Sequence, residues 1–407
     1  MKWIFARLAV ALFLILSQTQ IVSAAPLFNV TASGVPANLS IKLCLNAEGP
    51  LSCQNVTVSA LNLIITTTIP NKVYPLAGIQ INTPGYTLAD IGVVCTPLSN
   101  GMCQFSVSDT VAKAIAVNST TVPQYAYITN TNPMPNTVFN CIINSTTGVL
   151  SNCGSSSTGL FNDANSIALN LASARAYITN FNSNTVTLCT IDNITGGLTG
   201  CANTPTSSSP RFITLNSTMT RAYVAGGTGV SLYSVNSGTG ELTLLQHFNI
   251  GDASGIALNS AGTLAYVVIS TDDTVQLCAI DETSGALITP CTSTGSGSTT
   301  PVFDGAQRIT LNSIGTFAYV TNYGSYDITV CAIDSSSGNL NNCSRTAQGL
   351  FAGFANMAVN WSNTKAYVPY TPDSIVSLCS INADGTLSGC TNSGGTNFDG
   401  PKGVALG

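Results

Sequence analysis

Ile167-Ala168-Leu169-Asn170 is followed by Ala176-Tyr177-Ile178-Thr179-Asn180 and then by Asn184-Thr185-Val186-Thr187. Cys189 and Cys201 come next, one on each side of the turn-forming segment Asp192–Gly196. The side-chain pattern reads as four strands: an apolar strand ending in Asn, a strand opened by Ala-Tyr, a cysteine strand, and an outer strand with the second cysteine. The same order recurs along the chain. The first strand returns as Ile115–Asn118, Ile213–Asn216, Ile256–Asn259, Ile309–Asn312 and Met357–Asn360, and the tyrosines that follow are Tyr127, Tyr177, Tyr223, Tyr266, Tyr319 and Tyr367. Their separations are 50, 46, 43, 53 and 48 residues. Units of this length with four strands are propeller blades. A β-helix needs shorter repeats, a helical solenoid needs a 3.6-residue period, and separate sandwich domains need about twice the length.

Ala126-Tyr127-Ile128-Thr129-Asn130, Ala176–Asn180 and Ala318-Tyr319-Val320-Thr321-Asn322 carry a family likeness. Together with Asn184–Thr187 and the Asp-x-x-Thr-Gly turn, they resemble the YVTN-type β-propeller repeat. The likeness runs from about Lys113 to Gly407. It departs at Tyr223, Tyr266 and Tyr367, which are followed by Ala225-Gly226, Val268-Ile269 and Pro369-Tyr370. Some propellers of this class are lactonases, so the resemblance implies a scaffold on which hydrolysis is one known use. Six Ala-Tyr strands give six blades. Gly403–Leu406 is a further copy of the inner strand, expected to close the ring by joining the blade that begins near Lys113, and seven blades is the alternative count.

The chain has 14 cysteines and one histidine. The cysteines form close pairs: Cys44/Cys53, Cys95/Cys103, Cys141/Cys153, Cys189/Cys201, Cys278/Cys291, Cys331/Cys343 and Cys379/Cys390. In the last five, a turn sits at or beside the midpoint, so the members face each other across a hairpin and are expected to be bonded. Val230–Val235 tests this. Tyr233 takes the place of the first cysteine, and the residue equidistant across the turn is about Leu245, so both cysteines are missing together. Each short loop contributes about 3 kcal/mol in the chain-entropy account. Zinc sites favour CxxC-type spacing with histidine support, and the intervals here are 8–13 residues.

Lys2 and Arg7 flank an apolar stretch from Trp3 to Leu16, and Val22-Ser23-Ala24 suits a signal peptidase. Residues 1–24 are therefore expected to be a cleaved signal peptide, with the mature chain secreted, periplasmic or at the cell surface and without a membrane span. Residues 25–110 lack the repeat. Seven short β-rich runs there (28–31, 40–45, 55–59, 63–68, 78–81, 91–95 and 104–107) predict a small sandwich-like domain, and the propeller follows over 111–407. Only 7% of residues are charged, the net charge is −5, and there are 12 Lys and Arg. With no cluster of cations, nucleic acid is not an expected partner.

The loops feeding the inner strands hold Asp163, Arg211, Asp252, Asp304, Arg308, Asp399 and Lys402. They are candidates for a mixed-charge ligand mouth, weighed against ordinary solvated turn chemistry. His247 stands alone on an outer strand, far from what a general base requires. Asp192, Asp281, Asp334 and Asp384 recur in equivalent turns, and a residue repeated in blade after blade stabilises the blade, because a catalytic site is made once. Nine Asn-x-Ser/Thr sequons occur, Asn29, Asn118 and Asn216 among them. No catalytic residue, metal site or cofactor is expected. The leading expectation is a monomeric, non-enzymatic scaffold for a protein or glycan. A lactonase-type hydrolase using Asp304 or Asp399 and a structural coat component are the alternatives.

Overall fold

The computed structural model describes residues 124–407 except 133–135, 157–158, 193–194, 207–208, 296, 298–300, 349–354 and 396, together with the backbone of eight strands before residue 118. Two units separate at Val122/Pro123. In the first, Ile64–Thr68, Leu27–Ala32 and Lys113–Val117 form one sheet, and Ser52–Val58, Leu39–Leu45, Tyr74–Ile81, Cys103–Val107 and Thr96–Pro97 form another. Cys44 stands opposite Cys53 in its ladder. The expected strand at 91–95, the bond of Cys95 to Cys103, and the packing of the two sheets into a sandwich lie outside the described residues, as does the signal peptide.

The second unit is all-β, a propeller of six four-stranded sheets. Blade 2 runs Ala164–Asn170, Arg175–Asn180, Thr185–Ile191, Leu198–Pro205, and blades 3, 4, 5 and 6 repeat that order from Pro210, Ala253, Ala306 and Ala358. Blade 1 is assembled from both ends: Pro401–Leu406 is its inner strand, paired antiparallel with Gln124–Asn130. The expectation that Ile115–Asn118 supplies that inner strand is corrected here. Lys113–Val117 runs parallel to Leu27–Ala32 instead, and the position beside Gln124–Asn130 belongs to the C-terminal strand. The count is six, because the extra inner-strand copy completes blade 1.

The repeated residues now have physical reasons. In the five cystine-bearing blades the Ala before Tyr faces the first cysteine of the neighbouring strand, as Ala176 faces Cys189 and Ala318 faces Cys331, and these alanines have no solvent exposure. Only a methyl fits beside a cystine on that face. Each Tyr reaches the next blade. Tyr177, Tyr223, Tyr266 and Tyr367 donate their hydroxyls to the carbonyls of Gly240, Gly285, Gly338 and Gly148, at 2.7–2.9 Å. The acceptor residue has a left-handed backbone (φ +81° at Gly240), and a Cβ there would meet the Tyr177 hydroxyl at 3.1 Å, so glycine is required twice over. The inner-strand Asn caps its own turn: the Asn312 side-chain oxygen accepts from the backbone N–H of Thr316 and Phe317.

Five cystines are formed, Cys141–Cys153, Cys189–Cys201, Cys278–Cys291, Cys331–Cys343 and Cys379–Cys390, with Cα atoms 4.0–4.5 Å apart. The pairing is as expected, but the ladder is not in plain register. Each outer strand bulges at its cysteine: Leu188 pairs with Ala202 while Thr190 pairs with Thr199, leaving Gly200 and Cys201 in the bulge. Gly200 is left-handed, φ +56°, as are Asn152, Asn342 and Gly389 at the same place. In blade 3 the bulge falls at Leu245 opposite the Leu232/Tyr233 step, so the cysteine-free blade keeps the geometry.

Tyr319 lacks the Tyr–Gly bond. Blade 6 turns through Asn382–Thr386, where Asn382 N–H bonds to the Thr386 carbonyl, a loop one residue shorter than that closing Asp334 on Asn339. The Tyr319 hydroxyl, which faces it, is buried with no protein partner. Burial pushes both Tyr266 and Tyr319 up to about 12, with Asp384 adding to the effect on Tyr319. Tyr266→Phe strands the Gly338 carbonyl and is expected to cost about 1–2 kcal/mol. Tyr319→Phe is expected to be neutral or stabilising. Urea unfolding of both variants, side by side, checks the contrast.

Candidate functional site

In each blade the inner strand starts, the second ends, the third starts and the outer one ends on one face, which is the mouth. The inner strands bulge as they enter: between Ala164 and Ser166, Pro210 and Phe212, Ala253 and Gly255, Ala306 and Arg308, and Pro401 and Val404. A bulge re-aims the side chains it contains. The Thr of the Tyr-x-Thr-Asn signature holds it in place. Thr179, Thr321 and Thr129 hydroxyls accept from the backbone N–H of Ser166, Arg308 and Gly403. The loop consensus thus clamps the bulge in the three blades that keep Thr-Asn, while blades 3 and 4 bulge without it.

Arg308 occupies the axis. It is 1% exposed, and its guanidinium donates to the carbonyls of Ser254 at 2.8 Å and Gln307 at 3.1 Å. It also comes within 3.5 Å of the Asn165 side-chain oxygen. Asn165 belongs to blade 2 and Arg308 to blade 5, which are diametrically opposed in a six-membered ring, so this one side chain spans the channel. Burial lowers its pKa to about 9, Arg211 adds to that, and Asp163 opposes it. The hydroxyls of Ser166 and Ser254 and the Arg308 Nε atom lack protein partners and have no contact with solvent. The tier is closed.

Around it, Lys402 pairs with Asp163, and Arg211 pairs with Asp252 at 2.8 Å while lying 5.7 Å from the centre of the Phe181 ring. The second Asp252 oxygen accepts from Ser270. Five of the seven expected mouth residues are therefore brought together: Asp163, Arg211, Asp252, Arg308 and Lys402. The other two are elsewhere. Asp304 lies 3.8 Å from Arg345, which also approaches buried Asp327 at 3.6 Å. Asp399 belongs to the ring seam, its backbone N–H donating to Asn130 and its carbonyl accepting from Asn132. Asp304 and Asp399 are thus held by two different loops, one tied to Arg345 and the other to the seam of the ring.

His247 sits between two hydroxyls, Ser231 at 2.9 Å and Thr228 at 3.1 Å, on the outer strand of blade 3. Asp192, Asp281 and Asp334 each accept backbone N–H groups of their own turns. The Asn216 amide is consumed capping its turn, and the side chains of Asn29 and Asn118 lie outside the described residues. Among the described residues, no three His, Cys, Asp or Glu side chains gather as metal ligands. What sequence reasoning missed at the mouth are Asn165, Ser254 and Gln307, the pair Tyr323 and Tyr326, and Arg345. The available signal was variation: the residues just before each repeated Ile, such as Asn165-Ser166, Arg211-Phe212 and Gln307-Arg308, share no consensus.

No family model matches the chain, and no curated protein matches it. Solved structures do. The fold is that of a propeller in the nidogen/laminin complex, at 9% identity and a TM-score of 0.52, over 70% of this chain and 98% of that one. The periplasmic gluconolactonase of Pseudomonas aeruginosa superposes at 12% identity and 0.49, over 90% and 98%. A functionally unknown protein from Desulfotomaculum acetoxidans does so at 19% and 0.43, over 64% and 78%. At these identities the likeness concerns the fold alone.

Two outcomes are expected. Arg308→Ala removes the strut across the axis and should cost about 3 kcal/mol, with faster amide exchange at Gly255 and Ile309. Hydrogen bonds from Ser284, Ser336 and Thr386 hold Asp281, Asp334 and Asp384 below the usual carboxylate range. A depressed folded pKa gives stability that is present above the unfolded value of about 4 and is lost as pH falls through the folded one. Asp334→Asn keeps the acceptor, as Asn236 does naturally, so its melting temperature should fall less between pH 5 and pH 2 than that of the wild type.

Proposed function

We propose that this chain is an exported, non-enzymatic propeller that binds a protein partner across its mouth face. The observation that carries this reading is the closed axial tier. Asn165, Ser166, Ser254, Gln307, Arg308 and Asn356 are each at most 8% exposed, so the mouth has a floor where a hydrolase needs a solvent-reached pocket. The mouth carboxylates Asp163 and Asp252 are already held by Lys402 and Arg211. A preorganised polar surface suits recognition of a macromolecule. At its edge, Tyr323 and Tyr326 stand edge to face at 6.0 Å, 42% and 45% exposed, on the loop shared with the Arg345 cluster. Tyrosine and arginine are the residues that dominate binding energies at protein interfaces. Five cystines support export, since such bonds persist in oxidising compartments.

The test has two arms. Peptides selected from a random display library on the immobilised chain are expected to lose at least tenfold affinity to the Tyr323→Ala/Tyr326→Ala variant. Assayed against glucono-δ-lactone and 6-phosphogluconolactone, the chain is expected to give only the uncatalysed rate. Turnover that Asp163→Asn or Asp252→Asn abolishes would replace this reading with a hydrolase.

A further inference from the structure

The opposite face carries the turns between the first and second strands and the hairpins between the third and outer strands. There, the residue after the inner-strand Asn is Ser217, Ser260 and Ser313 in blades 3, 4 and 5, and Leu171 in blade 2. In blade 6 it is Trp361, which is 60% exposed. Burial of a large aromatic is the usual outcome of folding, and three of the other blades carry serine here. A residue that breaks the repeat and resists burial marks something made once.

Trp361 lines a crevice of about 110 Å3 at the seam between blades 6 and 1. One wall is the blade 6 turn and the other is the blade 1 hairpin, Asn144 to Gly148, while Tyr367 forms the floor with its hydroxyl tied to the Gly148 carbonyl. Both walls are rigid. Asn144 accepts the backbone N–H groups of Thr146 and Thr147, and Asn360 accepts those of Thr364 and Lys365. The Trp361 carbonyl accepts from Ser313, whose own N–H is held by Asn363, so the turn is pinned to blade 5. Between these walls the Gln124 amide and the Ser145 and Thr146 hydroxyls are available. The Lys365 ammonium donates to Ser380 at 3.1 Å, leaving further N–H groups. No Asp or Glu side chain lines the crevice.

We infer that this crevice is a carbohydrate-binding site, with Trp361 as the stacking platform for one sugar ring and Gln124, Ser145, Thr146 and Lys365 as hydrogen-bonding groups for its hydroxyls. A pyranose has an apolar C–H face and a rim of hydroxyls, which matches one exposed indole beside neutral amides and hydroxyls. A quaternary ammonium ligand would need a negative or multi-aromatic cage and meets Lys365 instead. A proline-rich peptide would need a groove of several aromatic faces, and the second ring present, Tyr367, is 1% exposed. The site is independent of the mouth.

The chain's two tryptophans are Trp3 and Trp361, so the difference between wild type and Trp361→Phe reports Trp361 fluorescence alone. Cellohexaose, maltohexaose, chitohexaose and a proline-rich decapeptide are titrated into the full chain. At least one hexasaccharide is expected to produce a saturable change in the Trp361 signal. Calorimetric affinity for that sugar should fall at least tenfold in Trp361→Ala, be largely restored in Trp361→Phe, and fall severalfold in Lys365→Ala. Far-ultraviolet dichroism and melting temperature confirm that each variant is folded. No saturable change with any of the three sugars, a response to the decapeptide alone, or equal affinity in Trp361→Ala would overturn the assignment.

Discussion

A ring of sheets is only as ordered as its closure. The closing interaction is the ladder between Pro401–Leu406 and Gln124–Asn130, extended by the mutual backbone bonds of Tyr125 and Gly407. Blade 6 joins in: the Asn356 side chain donates to the Val404 carbonyl and accepts its N–H, beside the bond from its own backbone N–H to the Lys402 carbonyl. The position of Lys402, and so its pairing with Asp163, depends on that seam. So does the crevice beneath Trp361, which exists because blades 6 and 1 are adjacent in space while being remote in sequence.

Two populations of residues emerge. Those repeated through the blades, such as the Ala-Tyr pair, the hairpin glycine and the turn-capping Asn, join strand to strand or blade to blade. Those that depart from the repeat gather at the two faces. Arg308 crosses the axis in one tier and Trp361 stands out from one turn. With so few charges in the chain, their concentration at the mouth is not an effect of abundance; the ion pairs there are partly shielded from water, where charge interactions are stronger than on an open surface.

Architecture was legible in the sequence because it is written in the repeated residues. Spacing alone pointed to the Cys189–Cys201 type of bond and to the double loss at Tyr233 and Leu245. The bulge was not legible, because a left-handed residue before a cysteine is an offset of one that equal counting from the turn hides; Gly200 and Asn342 were its trace. Ile115–Asn118 was misplaced because an inner-strand pattern says what a strand can pair with, and the C-terminal copy occupied that partner. Seven residues were read from sequence as one mixed-charge mouth, but which of them pair, and the crossing of the axis, were not. That crossing depends on Arg308 reaching a blade three positions away, a distance no local pattern encodes.

The arrangement of covalent and non-covalent links has a mechanical meaning. Every cystine described closes a loop within one blade, and none joins two blades. The closing strands lie antiparallel, with Leu406 beside Ala126 at the same edge. Tension applied between the chain on either side of the propeller would therefore peel that ladder one bond at a time, the weak loading direction, instead of shearing all its bonds together. Further pulling would extend the inner strands while each stapled outer hairpin kept about a dozen residues folded away, some 40 Å of withheld contour per blade. Blade 3, with Tyr233 and Leu245 where the others are bonded, would be the one described blade able to lengthen fully.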